Sequence, residues 1–132
     1  MSDMTIPKTY KLFIGGKFPR SESGRTHTVN RPDGSFLANV AMGSRKDARD
    51  AVVAARSAWP SWAGATAYNR GQVLYRVAEM LEGRSAQFVQ EIIDSTGATP
   101  KAAKEEVRAA VDTLVWYAGW TDKFAQIGRA HV

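Results

Sequence analysis

The order of patterns along the chain predicts an α+β fold, with N-terminal β-hairpin strands followed by about four helices. Three observations carry that expectation. Short β-rich runs bounded by turn residues occupy roughly the first third of the sequence. From Ser44 onward, apolar residues recur at helical offsets. The stretch from Asn69 to Gly97 then holds two one-faced helical patterns back to back, separated by Gly83 and Arg84.

Residues 1–9 are polar, contain Pro7 and have no period, which predicts a flexible N-terminal arm. Tyr10 to Phe18 reads as a short hairpin: Leu12, Phe13 and Ile14 are apolar, Gly15-Gly16 is a two-residue turn, and Lys17-Phe18 begins the return. Ser21 to Gly24 is a polar loop. Thr26 to Asn30 is β-rich, Pro32-Asp33-Gly34 turns the chain, and Ser35 to Ala41 returns with Phe36, Ala38 and Val40 on one face.

Ser44 is an N-cap for the first helix, and Asp47 puts a carboxylate near its positive end. Ala48, Val52, Ala55 and Trp59 form its apolar stripe, and Pro60 is expected to stop it. Thr66 caps the second helix, whose stripe is Val73, Leu74, Val77, Ala78 and Leu81. Ser85 is the expected cap of the third, with Phe88, Val89, Ile92 and Ile93 inward and Gly97 supplying the left-handed terminating residue. Ala98-Thr99-Pro100 turns into a last helix reaching Phe124, with Val107, Val111, Leu114 and Ala118 on one stripe.

A chain of 132 residues fits one domain. No apolar run approaches the ~20 residues of a membrane span, and the N-terminus lacks the apolar segment of a secretory signal. The absence of cysteine removes disulfides and cysteine–zinc sites, and leaves a cytoplasmic location as the default. The net charge of +5 is local: nine Lys/Arg stand against four Asp/Glu through Arg49, and nine against nine thereafter. The basic residues are spread singly, which predicts a solvated, mildly basic surface and no nucleic-acid partner.

No chemistry-bearing constellation emerges from the residues. Nucleophilic catalysis needs a nucleophile beside a base, and His27 and His131 are the only imidazoles. Spacing leaves a Ser–His–Asp arrangement on His27 open, but a lone His in an alternating strand reads as an exposed polar residue. Gly15-Gly16 lacks the glycine spacing and the following helix of a dinucleotide fingerprint. Glu105-Glu106 and Glu79-Glu82 read as solvated helix faces. Neither a catalytic nor a cofactor-binding residue is therefore expected in this chain.

Several segments, taken in order, resemble the N-terminal portion of the NAD(P)-dependent aldehyde dehydrogenase superfamily. They are Lys11-Leu12-Phe13-Ile14-Gly15-Gly16-Lys17-Phe18, Thr28-Val29-Asn30-Arg31-Pro32-Asp33-Gly34, the Asp47–Trp62 helix, Asn69-Arg70-Gly71-Gln72-Val73-Leu74, Asp94-Ser95-Thr96-Gly97 and Trp116-Tyr117-Ala118-Gly119-Trp120-Thr121-Asp122-Lys123. Their order and spacing cover about Tyr10 to Phe124. The resemblance implies an α/β parent enzyme with a Rossmann-type coenzyme domain, of which residues 10–126 are the incomplete N-terminal part. The parent would bind NAD or NADP, take an aldehyde substrate, form a homo-oligomer and oxidise the aldehyde through a cysteine thioester. The catalytic cysteine, the glutamate base and the oxyanion-stabilising asparagine come later in such chains.

Two weaker implications follow from the same resemblance. Many members hold a monovalent cation through main-chain oxygens and one aspartate, and the matching positions are Thr28, Val29 and Asp94; hard cations want such oxygen ligands. On the residues alone, Asp94 also reads as the end of a helix and Thr28 as a strand position. The start of the last helix can line the aldehyde entrance, where Glu105, Ala109 and Asp112 would share a face, although two acids suit such a tunnel poorly. Residues 127–132 have no helical continuation, match one reading frame of a common sequencing-library adapter, and are expected to be a non-native tail. The resulting reading is a catalytically incomplete aldehyde dehydrogenase portion, binding no cofactor alone and prone to self-association through helix faces that have lost their sheet. The competing readings are a stand-alone helical interaction module and a basic nucleic-acid-binding domain.

Overall fold

A computed structural model describes residues 8–123. Most of the expected arm, the expected tail and His131 lie outside the described residues. The chain divides into two compact units, residues 1–60 and 61–132.

In the first unit, β1 (Thr9–Tyr10), β2 (Thr26–Asn30) and β3 (Phe36–Ala41) form a sheet in the order β1-β3-β2. The β2–β3 hairpin is antiparallel, with Thr28 opposite Asn39 and a register shift between Val29 and Asn30. Its connection is held locally: Arg31 N–H donates to the Ser35 carbonyl at 2.8 Å, and Asp33 Oδ1 accepts from Ser35 N–H at 2.8 Å. β1 pairs parallel to β3, and Asn39 N–H donates to the Lys8 carbonyl at 2.9 Å. The arm expected over residues 1–9 therefore gives way to sheet by Thr9.

The glycine turn forms, but the strands expected on either side of it do not. Ile14 and Lys17 exchange both backbone hydrogen bonds, at 3.0 and 3.1 Å, across Gly15 and Gly16. Their φ values of 62° and 76° are the positive pair that a primed hairpin turn requires. Pairing stops at this one bridge, supported by Leu12 N–H on the Pro19 carbonyl at 3.0 Å. Phe13 and Phe18 then meet ring to ring at 5.1 Å, both exposed.

Helix α1 spans Arg45–Gly64. Pro60 does not stop it: its missing donor and its ring's clash with the preceding turn are a free-energy cost, and the helix continues through it to Gly64. The expected stripe of Ala48, Val52, Ala55 and Trp59 is exposed. The face that meets protein is a small one: a Cβ on Gly15 would stand 3.8 Å from Ala54 Cβ, an ordinary contact, and Ala54 is half-buried. Val52, Val53 and Trp59 stay exposed.

The second unit is helical. It contains α2 (Ala67–Gly83), α3 (Ser85–Thr96) and α4 (Pro100–Trp120), with α4 packed on both others. Thr66 and Thr99 cap α2 and α4, accepting from Asn69 N–H at 3.1 Å and from Ala102 N–H at 3.2 Å. Ser85 does not cap α3; it is already the first helical residue, because the chain passes from α2 through Arg84 alone. Gly97, at φ 72°, ends α3 in the left-handed conformation with its N–H on the Ile93 carbonyl at 2.9 Å.

The core of this unit is narrow. Ala78, Ala103 and Val107 are its buried apolar side chains, while Val111, Leu114 and Ala118 continue the α4 stripe half-buried. Gly71 sets how closely α2 and α4 approach: a Cβ there would lie 3.0 Å from the Ala118 carbonyl oxygen and 2.6 Å from Thr121 Oγ1. Of the expected α2 stripe, Leu74, Ala78 and Leu81 turn inward and Val73 and Val77 stay exposed. The packed face is thus centred on Gly71, Leu74 and Ala78, where small residues let the helix backbones meet.

Candidate functional site

The Asp47 carboxylate accepts three hydrogen bonds in the first unit. It stands in the first turn of α1 and forms a reciprocal cap with Ser44: Ser44 N–H donates to Asp47 Oδ2 at 2.8 Å, and Asp47 N–H donates to Ser44 Oγ at 3.3 Å. The buried Ser21 hydroxyl donates to Asp47 Oδ2 at 2.6 Å, and Glu22 N–H donates to Oδ1 at 3.2 Å. The Ser21 hydroxyl, followed by the Ser44 amide, holds the Asp47 carboxyl at about 2, below its usual range. Ser44 Oγ also donates to Glu22 Oε1 at 3.0 Å, so the 21–25 loop is stitched to the start of α1.

A serine donating to a buried aspartate invites a catalytic reading, which the geometry rejects. A carboxylate held near 2 is too weak a base to activate a hydroxyl at neutral pH. His27, the one described imidazole, is exposed on β2 opposite Val40. Ser21 and Asp47 are a structural stitch.

The residues matched to a cation site fall in different units. Thr28 and Val29 are adjacent on β2, where Thr28 Oγ1 donates to Asn39 Oδ1 at 3.2 Å. Asp94 lies in the last turn of α3, and its Oδ1 accepts from Gln90 Nε2 at 2.9 Å. Among the described residues there is no cluster of three or more His, Cys, Asp or Glu able to hold a metal. Glu105 and Asp112 are exposed on α4, as is Ala109.

Neither Gly15-Gly16 nor the start of α1 forms a dinucleotide cradle. The paired glycines close a hairpin in which the amides of Ile14 and Lys17 are already bonded to each other's carbonyls, and no helix follows until Arg45. The N-terminus of that helix is occupied by the Asp47 carboxylate, which repels a phosphate from the position where helix amides would hold one.

The second unit offers surface instead of chemistry. Tyr68, Tyr75, Val115, Trp116, Tyr117 and Trp120 are exposed on α2 and α4. Trp116 packs edge-on to Tyr117 at 4.9 Å and tilted against Trp120 at 5.4 Å. Tyr68, Tyr75 and Val115 edge an open cavity of about 340 Å³ floored by Gly71 and Ala118. So much exposed aromatic area in so small a unit marks a surface that is built to be covered. Sequence reasoning missed Arg70, which leaves α2 to hydrogen-bond the Ala63 carbonyl at 3.3 Å and the Ala65 carbonyl, supplying positive charge to the C-terminal end of α1.

Comparison with known proteins assigns the class. The fold is shared with a solved 3,6-anhydro-L-galactose dehydrogenase in complex with NAP, at a TM-score of 0.85 and 24% identity over 88% of this chain and 24% of that one. The aldehyde dehydrogenase family model matches residues 18–130. The chain belongs to the aldehyde dehydrogenase family, of which it is an N-terminal portion. Cytosolic 10-formyltetrahydrofolate dehydrogenase of Mus musculus is 34% identical over 124 residues, 91% of this chain and 14% of that protein. D-glyceraldehyde dehydrogenase (NADP(+)) of Thermoplasma acidophilum is 32% identical over 114 residues, 86% of this chain and 23% of that protein. The chain thus spans about a seventh to a quarter of the curated relatives it matches.

Proposed function

We propose that this chain works as part of a longer aldehyde dehydrogenase that oxidises an aldehyde to a carboxylic acid with NAD or NADP, in the cytoplasm and as a homo-oligomer. The observation that carries the reading is the family match over residues 18–130 in a chain without a single cysteine. The reaction needs a thiolate to add to the carbonyl, so the nucleophile must come from another part of the parent. Within that enzyme, residues 10–126 serve as structural wrapping. Their apolar faces, exposed here at Trp59, Tyr75, Trp116 and Trp120, are the surfaces that the remaining elements cover.

The chain by itself binds no nicotinamide cofactor and turns over no aldehyde. One experiment tests the reading at its root. The genomic coding sequence of the parent should run in frame with this chain and encode a cysteine in a segment outside it. A stop codon or a frame unrelated to dehydrogenases would refute it.

A further inference from the structure

We infer that the first unit carries an anion-binding cavity suited to the phosphate group of a small phosphorylated molecule. The cavity, about 350 Å³, is formed where β1, the 20–25 loop and the end of β3 converge. Lys11, Arg20 and Arg25 all line it, together with the hydroxyl-bearing Thr9, Tyr10, Ser21 and Thr26. Among the described residues no acid lines it.

The three cations have no partner among the described residues. Among the described residues the ion pairs are Lys46–Asp50 and Arg76–Glu79, and none of the three makes a side-chain hydrogen bond. Three like charges around one concavity repel each other and are stabilised by an anion that neutralises them. One acid is linked to the lining, Asp47 through Ser21 Oγ, and its carboxylate is already saturated by Ser21, Ser44 and Glu22 donors. Glu22, the acid of the loop itself, accepts from Ser44. The same stitch fixes the loop that presents Arg20 and Arg25, so their backbone positions are set before any ligand arrives.

Ligand class follows from charge and size. Two guanidinium forks and an ammonium match the three terminal oxygens and double charge of a phosphate monoester better than the single charge of a carboxylate. The volume exceeds that of an oxyanion alone and falls in the range of small-molecule pockets, leaving room for the rest of the ligand. A nucleic acid would instead want a basic stripe with interleaved aromatics, whereas these cations surround one concavity. The cavity gathers three of the nine basic residues of the N-terminal third.

Calorimetric titration of the full 132-residue chain with inorganic phosphate, with glycerol phosphate as a simple monoester, and with a single-stranded oligonucleotide tests the inference. Both phosphate probes should bind, the monoester more tightly. Arg20→Gln and Arg25→Gln should each weaken monoester binding by about tenfold or more, while Arg76→Gln in the second unit leaves it unchanged. Arg25→Lys keeps the charge without the fork and should fall between wild type and Arg25→Gln, which separates a lost contact from a lost fold. Absence of binding at millimolar phosphate, an equal loss in Arg76→Gln, or binding of the oligonucleotide alone with a steep salt dependence would each overturn it.

Discussion

Replacing Gly71 with alanine probes the closest helix–helix approach in the second unit. In an unconstrained helix interior the change would stabilise by about 1 kcal/mol, because alanine is the better helix former. Here the new Cβ would fall 2.6 Å from Thr121 Oγ1 and 3.0 Å from the Ala118 carbonyl oxygen, both inside ordinary contact. Relieving that overlap means moving α2 off α4 or rotating Thr121, whose hydroxyl donates to the Ala118 carbonyl at 3.0 Å. Overpacking typically costs about 1–3 kcal/mol, and the displaced hydrogen bond adds about 1 kcal/mol. After the propensity gain, the net loss expected is about 1–3 kcal/mol. Urea titration followed by far-ultraviolet circular dichroism, at a protein concentration low enough to suppress association, reads it directly. In a Thr121→Ala background one of the two clashing atoms is gone, and the penalty should shrink by about 0.5 kcal/mol or more. Stabilisation by Gly71→Ala, or an identical penalty in both backgrounds, would refute the packing argument.

Three further outcomes are expected. The Asp47 carboxyl titrates at about 2 when folded against 3.8 ordinarily, so its contribution is complete above about pH 4 and is lost as pH falls through about 2; Asp47→Asn should remove that part of the acid transition, and an unchanged acid profile would show that the stitch contributes nothing. Pro60→Ala restores the missing donor inside α1 and should raise both helicity and stability, by at most the roughly 3 kcal/mol that separates the two residues in a helix interior; a loss of stability would mean that Pro60 is needed for the shape of α1. Sedimentation of the purified chain should show concentration-dependent association, reduced when Trp116 and Trp120 are both changed to serine, whereas a monomer at all concentrations would contradict the view that the aromatic face is built to be covered.

Local signals were the legible ones. Thr66 and Gly97 sit where capping rules place them, Gly15-Gly16 closes the turn its φ angles demand, and β2 occupies the β-branched run Thr26–Asn30. What eluded sequence reasoning depends on partners. The α1 stripe Ala48, Val52, Ala55 and Trp59 follows helical spacing, yet it is exposed, and the half-buried side chain is Ala54 beside the glycine turn. The parallel pairing of Thr9 with Asn39 joins segments thirty residues apart, and no short-range rule selects it. Ser21 reads as one more loop serine until its hydroxyl is seen on Asp47, a bond made across twenty-six residues. Pro60 misled because the rule for prolines in helices is a free-energy cost, which a long helix can absorb. The absence of a catalytic cysteine, by contrast, was plain from composition alone.

The account rests on the chain being wrapping without machinery, and one assay addresses that claim. Purified 132-residue chain is incubated with NAD or NADP and a panel of aldehydes, and reduced nicotinamide is followed by its absorbance. No aldehyde-dependent signal above the enzyme-free control is predicted for this chain, whereas the same chain continued by its downstream coding sequence should turn over. Aldehyde-dependent reduction by the chain alone, in preparations free of contaminating dehydrogenase, would contradict the account.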